Sequence, residues 1–574
     1  MGSAEIADIF REIAKILELK GDNPFRIRAY ERAAQAIEDL GEDLERFVKE
    51  DKLLQVPGIG IDLANKIKEM FSTGSLSYYQ ELKKSIPQGL IEMLQIPSLG
   101  PKTVKLIYDK LGIDNIRELE KAAQDGRLQR LERIKAKTEE NILRGIELLK
   151  KGKKRTPLYF ALCIANTFIE KMGKIKEVEK ITAAGSLRRK KETIGDIDIL
   201  ASSSKPNKVM DSFVKLSLVS KVLAKGSTKS SVIGQDNIQV DLRVVNKNSF
   251  GSALLYLTGS KDFNIKLRHL ALKRGYKINE YGVFPLKGKN KEKALAGKTE
   301  ESIFSLMGMQ YITPELREDR GELEAALDNN LPQLLELKDI KGDLHVHSEY
   351  SDGRGSIKDI VEVAKTLGYK YIGVSDHSQS LKVAGGLSIK ELYEKIDEIR
   401  NIDKKTEGIK VLCGAEVDIL KDGSLDYPDS VLKELDYVIA AIHSGFKQSQ
   451  EQLTKRIVSA CKNKYVNIIA HPTGVLWGQR DPYQVDLDQI FKAAFDYQVA
   501  LEINCHTQRL DLDGVSAMRA KNAKVKIFLG TDAHEPLNLK LIHLGVSVAR
   551  RGWLEKKNIL NCLNTADLIQ WLKK

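Results

Sequence analysis

Cysteine is scarce. The chain has five in 574 residues (Cys163, Cys413, Cys461, Cys505 and Cys562), far apart and without a CxxC pair. That excludes a disulfide scaffold and a cysteine-zinc module, and fits a reducing cytosol. Long hydrophobic runs are missing too; the longest, such as 437–442, fall far short of the ~20 residues that span a bilayer. The opening MGSAEIADIF lacks the basic-then-apolar pattern of a signal peptide. No low-complexity segment occurs. A cytoplasmic chain that touches no membrane and acts as a monomer is the expectation. Histidine is almost absent from the first half: of nine, only His269 precedes residue 342. With 42% apolar and 30% charged residues the protein is globular. A length of 574 residues, at roughly 150 per domain, implies about three to five domains.

Charge is unevenly spread. The net is +13, yet residues 1–100 hold 13 Lys and Arg against 17 Asp and Glu. Residues 101–300 hold 43 against 22, more than the whole excess. Such a block suits a polyanion, because each phosphate contact releases counterions; a soluble basic face is the alternative.

Residues 3–50 carry Ile6, Ile9, Phe10, Ile13, Ile16 and Leu17 at helical spacing. LLQVPGIGIDLANKIKEMFSTGSL (53–76) breaks that rhythm with a Pro-Gly-Ile-Gly turn. Gly58 and Gly60 let the backbone turn with its N–H groups outward, and a helix beginning near Asp62 points its N-terminus the same way. This is a helix-hairpin-helix pattern, suited to a DNA phosphate. A second copy, LQIPSLGPKTVKLIYDKLGI (94–113), has Ser98 for the first glycine and keeps Gly100. LQRLERIKAKTEENIL (128–143) repeats the helices without the glycines and reads as packing only. A basic joint, KKGKKRTP (150–157), ends the helical region.

Beyond it the pattern alternates. In GDIDIL (195–200) a period of two puts Asp196 and Asp198 on one face of a strand. Paired carboxylates repel and are tolerable mainly around a cation. NIQVDLRVV supplies Asp241 in the same manner, and an adjacent antiparallel strand is expected to bring it beside the pair. Three carboxylates can hold two Mg²⁺ ions (or Mn²⁺) for an in-line phosphoryl displacement. About ten residues before Asp196 stand Gly185, Ser186, Arg188 and Arg189. Here a glycine admits phosphate to the backbone, Ser186 offers a hydroxyl and arginine binds phosphate bidentately. The set reads as a nucleotidyltransferase.

From residue 340 short apolar strands alternate with helices: YIGVSDH, VLCGAEVDI, YVIAAIHS, VNIIAHP, ALEINC and KIFLGTDAH. This is the text of a parallel α/β barrel. His345, His347, His377, Glu416, His443, His471, Asp532 and His534 fall at or near strand ends, with Asp352 in a Ser-Asp-Gly turn. Imidazole and carboxylate gathered at the C-terminal ends of barrel strands point to bound metal.

YLTGS (256–260) and DFNIKLRHLALKRGYKINEYGVF (262–284) resemble the nucleotide- and template-contacting region of family X DNA polymerases, the group of DNA polymerase beta. The resemblance implies that Asp196, Asp198 and Asp241 bind two metals, with Asp241 nearest the primer 3′-hydroxyl. Ser186 and Arg189 would hold the triphosphate, with Arg188 supporting. Tyr256 and Leu257 would line the sugar pocket and disfavour ribose, though the family often has phenylalanine where Leu257 stands, and Gly259 would belong to the same substrate-binding set. Asn264 would meet the incoming base and Arg268 the template. NPFRIRAYERAAQAI and the first hairpin resemble the family's small N-terminal domain, in which a lysine at the place of Lys66 removes a deoxyribose phosphate through a Schiff base. Asp62, standing where that pattern has a lysine, weakens the match.

The last third resembles the PHP domain (polymerase and histidinol phosphatase), a distorted (β/α)7 barrel. Its nine ligand places are all filled here. The resemblance puts His345, His347, Glu416 and Asp532 on one ion, Glu416, His443 and His471 on a second, and Asp352, His377 and His534 on a third, so that two to three Zn²⁺ or Mn²⁺ are expected.

The expected architecture is multidomain: an all-α helix-hairpin-helix domain (1–90), a second one as fingers (91–155), an α+β nucleotidyltransferase palm (156–250), a thumb (251–316), an acidic helical linker (317–338) and an α/β PHP domain (339–574). The resemblance implies a DNA polymerase that fills short gaps in base excision repair, taking gapped or nicked DNA and deoxynucleoside triphosphates. Its PHP site would act as 3′–5′ exonuclease, AP endonuclease or 3′-phosphatase. A phosphatase of small esters and a DNA-end-binding scaffold with silent sites are the alternatives.

Overall fold

Apolar residues at helical spacing close the first core. A computed structural model of the chain describes residues 3–573 apart from 41–42, 74, 95, 97–98, 133, 136–137, 140, 144, 147–154 and 288–292. The chain divides into two compact units, 1–154 and 155–574. In the first, helices Ser3–Lys20 and Pro24–Leu40 bury Ile6, Phe10, Ile13 and Leu17 against Ala33, Ala34 and Ile37, and helix Ile61–Thr73 adds Ile67 and Met70. Helices Pro101–Leu111 and Ile116–Gln124 build a separate core around Val104, Ile107 and Leu119. Ser98 lies outside the described residues, as do parts of 128–143 and most of the basic joint at 150–157.

The second unit begins with a five-stranded sheet. Its order is Lys180–Ala183, Asp196–Ser202, Gln239–Val245, Lys229–Gly234 and Val219–Lys225. Helices Leu158–Gly173 and Pro206–Val214 cover it with Phe168 and Phe213. Strands Asp196–Ser202 and Gln239–Val245 run parallel, with Asp198 opposite Asp241. The antiparallel pairing expected above is thereby corrected. Side-chain alternation carries no direction, and the residues between the two strands turn the chain back once more through an antiparallel pair.

Helices Phe250–Thr258, Lys261–Lys273 and Glu300–Leu306 follow, with the hairpin Tyr276–Asn279 and Gly282–Pro285. They share a core of Leu255, Phe263, Leu267 and Phe304. The acidic stretch after 316 is not one long helix. Its α-helix is Glu322–Leu327, whose Leu323 and Ala326 join that same core, and a 3-10 turn follows at Leu337–Asp339. Its leucines decided its fate more than its charge.

Seven parallel strands then run in chain order: Gly342–Asp343, Tyr371–Val374, Lys410–Asp418, Tyr437–Ala441, Val466–Ile469, Ala500–Asn504 and Ile527–Gly530. First and last meet through a parallel bridge between Val346 and Ala533, and the Thr531 N–H donates to Asp343 Oδ2 at 3.0 Å. Both faces of the strands are buried, hence their nearly unbroken apolar text. One face packs on the surrounding helices. The other, with Leu344, Tyr371, Tyr437 and Phe528, packs on itself and on helix Thr565–Leu572. The strand C-termini are left to carry chemistry.

Candidate active sites

In the five-stranded sheet, Asp196 and Asp198 point away from the buried Ile197 and Ile199, as the period of two requires. Burial pushes the Asp198 carboxyl up to about 6, helped by Asp196 and Asp241. Lys229, on the neighbouring strand, reaches Asp241 Oδ2 at 3.1 Å, and Gln239 Nε2 donates to Asp241 Oδ1 at 2.8 Å. Three carboxylates gathered about one lysine are an arrangement a divalent cation relieves further. Gly185 is packed against them with φ +61°, and a Cβ there would lie 2.1 Å from Asp198 Oδ2.

Ser186 and Arg188 belong to the short helix Gly185–Arg188, which Arg189 follows. Arg188 donates to both oxygens of Glu300 at 2.8 and 2.7 Å and to Thr258 Oγ1 at 2.9 Å. Arg189 donates to Glu318 Oε1 at 2.9 Å and to the Thr258 carbonyl at 2.7 Å. Both arginines are therefore committed to protein partners rather than extended into solvent. Burial would raise the Glu300 carboxyl, but Arg188 and Arg317 outweigh it and hold it down at about 2. Tyr256, Asn264 and Arg268 line one groove with Leu255, Leu267 and Ile278. Asn264 Nδ2 is fixed by the carbonyls of Tyr256 (2.8 Å) and Gly259 (3.0 Å).

In the first unit, Gly58 has φ +88° and precedes helix Ile61–Thr73, while Gly100 caps helix Pro101–Leu111 in extended conformation. Lys66 forms an ion pair with Asp62, and its Nζ lies 5.2 Å from the centre of the Tyr78 ring.

At the barrel's strand ends the nine expected ligands come together. Glu416 is the hub: its Oε2 is 2.9 Å from His377 Nδ1 and 3.4 Å from His345 Nε2. Its Oε1 is 3.0 Å from His471 Nε2 and 3.3 Å from His443 Nε2. Asp532 Oδ1 is 3.2 Å from His347 Nε2, and Asp352 Oδ2 is 3.3 Å from His534 Nε2. Burial would raise the Glu416 carboxyl, but His443, His345 and His377 outweigh it and hold it well below the usual range. Burial, with His377 and His534, pushes the His347 imidazole down to about 4.

Several of these buried atoms lie close to one another yet make no hydrogen bond of good angle: His345 Nε2, both nitrogens of His347, His377 Nδ1, Glu416 Oε2 and His471 Nδ1. Buried polar groups are normally satisfied, so a nest of orphaned imidazole and carboxylate atoms fits bound metal. Among the described residues three sets hold their ligand atoms within 4.8 Å: His345, His347 and Asp532; His377, Glu416 and His443; and His347, Asp352, His377 and His534. The partition differs from that implied by resemblance, since His347 and His377 each enter two sets and His471 none.

The whole chain is 39% identical, over 577 residues and the full length of both proteins, to the DNA polymerase/3'-5' exonuclease PolX of Bacillus subtilis (strain 168). This chain belongs to the family X DNA polymerases. Within this family X chain, models of a helix-hairpin-helix domain and a SAM-like helix-hairpin-helix tandem match residues 1–76 and 90–147. The DNA polymerase beta thumb matches 253–318 and the PHP domain 343–506. The PHP part is also 32% identical, over 248 residues, to a probable phosphatase of Thermoanaerobacter sp. (strain X514), covering 40% of this chain and 94% of that protein. A probable phosphatase of Clostridium acetobutylicum is 28% identical over 202 residues, 33% of this chain and 78% of that protein.

Sequence reading of this family X protein missed the groups that hold the ligands. Glu502, wholly buried, faces His345 Nδ1 at 2.6 Å and accepts the His471 N–H at 2.8 Å. Asp418 faces His443 Nδ1 at 2.9 Å. Asp376, paired with the buried Lys395 at 2.9 Å, accepts from Ser348 and Ser351 and so fixes the turn between His347 and Asp352. Arg509 Nε is 3.4 Å from Asp532 Oδ2. Such partners fix imidazole orientation and basicity in metal sites. The only available signal was a charged residue inside an apolar strand, as at Glu502.

Proposed function

We propose that this protein fills short gaps in DNA by nucleotidyl transfer and hydrolyses phosphoesters at DNA ends with its PHP site. One observation carries the reading: a single folded unit holds a carboxylate cluster at Asp198 and Asp241 and, separately, a nest of orphaned histidine and carboxylate atoms. The full-length likeness to a polymerase/exonuclease supports it.

On this reading Asp196, Asp198 and Asp241 hold Mg²⁺ or Mn²⁺, and the nine PHP ligands hold two to three Zn²⁺ or Mn²⁺. When bound, such cations neutralise the phosphates and acidify an attacking hydroxyl or water. The rest is the chain's own work. Ser186 donates to the triphosphate, while Tyr256, Leu257 and Gly259 bound the sugar. Asn264 and Arg268 meet base and template from one groove. Gly58, Gly60 and Gly100 offer backbone N–H groups to DNA phosphates, and the basic block 101–300 adds attraction. At the PHP site Arg509 is a protein cation beside the ligands, placed to draw a phosphate oxygen, and Glu502 and Asp418 hold His345 and His443. A Schiff-base step at Lys66 requires breaking its pair with Asp62. The substrates are gapped or nicked DNA and deoxynucleoside triphosphates, the working form is a monomer, and the compartment is the cytosol. Abasic-site cleavage and 3′-phosphate removal belong to the same hydrolytic chemistry.

The test is the purified protein on a gapped duplex with Mg²⁺ or Mn²⁺. Extension of the primer with deoxynucleotides, and shortening of the same primer without them, is expected. An untouched primer alongside hydrolysis of a small phosphate ester would favour the phosphatase reading that the PHP-domain relatives suggest. No reaction at all would leave a scaffold.

A further inference from the structure

A buried ionic chain runs from the barrel to the groove of the palm and thumb. Arg551, at the C-terminus of helix Ile542–Arg551, is 2% exposed. Its Nη1 donates to Glu318 Oε1 at 3.0 Å and to the Arg189 carbonyl at 2.9 Å, and its Nε lies 3.4 Å from Glu192 Oε1. Glu192 Oε1 also accepts the Gly514 N–H at 3.0 Å. On the other side, Glu318 Oε1 receives Arg189 Nε at 2.9 Å, and Arg189 Nη1 donates to the Thr258 carbonyl at 2.7 Å. Thr258 joins Leu257 to Gly259. Tyr256, two residues before it, and Gly259, next after it, supply the two carbonyls that fix Asn264.

We propose that Arg551, a residue of the PHP half, is a positioning residue for nucleotide addition. This rests on the reading of the 256–264 groove as the nucleotide pocket. Arg551 is held by Glu192, Glu318 and the Arg189 carbonyl, none of them in that groove or among the PHP ligands. It grips Glu318 and the Arg189 backbone together, so that Arg189 is held against the Thr258 carbonyl and the turn after Thr258 keeps its shape. Burial disfavours the Arg551 charge, but Glu192 and Glu318 more than offset that. The contacts are charge-assisted, run from 2.7 to 3.4 Å and are largely shielded from water, so the linkage is stiff. A simple glue between domains would tolerate small changes at Arg551 with no effect on substrate binding. A brace shows its loss in the KM for the nucleotide before kcat.

Three variants decide it, each assayed for extension of a gapped duplex and for hydrolysis of a small phosphate ester. Arg551→Ala is expected to raise the KM for deoxynucleotide about tenfold, with kcat changed less, the affinity for gapped DNA unchanged and hydrolysis as in the parent. Arg551→Lys keeps one positive charge between Glu192 and Glu318 but lacks the guanidinium fork, and is expected to raise KM roughly threefold. An unchanged KM in a folded Arg551→Ala protein overturns the proposal. If that variant loses hydrolysis and its folded circular-dichroism signal, Arg551→Lys decides alone, and an unchanged KM there overturns it. Asp241→Ala separates the two levels: continued extension by that variant would refute the palm reading itself, whereas its loss beside an unaltered Arg551→Ala would refute only the brace.

Discussion

Replacing Gly185 by alanine should disable the palm without touching the barrel. Gly185 has φ +61°, where a β-carbon costs roughly 1–2 kcal/mol. The steric effect is larger in consequence. The new methyl would stand 2.1 Å from Asp198 Oδ2 and 3.0 Å from its Cγ. Normal contact requires the carboxylate to withdraw by about 1 Å, and a misplacement of that size at reacting groups can cost ~10²-fold. Asp198 cannot readily yield: it lies on a central strand paired on both sides, and its carbonyl accepts the Ala184 N–H at 2.8 Å. Gly185→Ala should therefore extend a gapped primer at least ~10²-fold more slowly. Hydrolysis of a phosphate ester by the same preparation should match the parent, which serves as the folding control. Extension within twofold of the parent, with hydrolysis intact, would refute the claim that Gly185 exists to seat Asp198.

Glu502→Gln should lower metal affinity at the PHP site ~10–100-fold by weakening the hold on His345. Metal content after dialysis, with extension unaffected, reports it, and unchanged content would remove Glu502 from the site's support. Glu300 gives a pH prediction. Its carboxyl lies below its ordinary value in the folded chain, so it contributes stability above pH ~4.5 that is lost as pH falls toward 2. A buried shift of that size corresponds to roughly 3 kcal/mol. The difference in denaturation midpoint between the parent and Glu300→Gln should accordingly be large at pH 6 and shrink below pH 4.5; a gap independent of pH would contradict the pairing.

Much of this was legible before any coordinates. Strand alternation put Asp196 and Asp198 on one face, and histidines at the ends of apolar strands marked the metal nest, because both patterns are local. What crosses the chain was not legible. Glu502 supports His345 from 157 residues away, and a buried glutamate reads like any other. The direction of the Asp241 strand depended on the antiparallel pair before it. The segment after 316 looked like a charged linker because charge outweighed Leu323 and Ala326 in the text. Arg188 and Arg189 look like phosphate ligands by type, and only their buried partners Glu300 and Glu318 show how they are engaged here.

The central claim is that one chain carries two independent sites, and reciprocal inactivation tests it most directly. On one gapped duplex, Asp196→Ala should abolish extension and still shorten the primer, and His345→Ala should extend it and no longer shorten it. Extension surviving in the first variant, or both reactions failing together in a folded protein of either kind, would contradict the account.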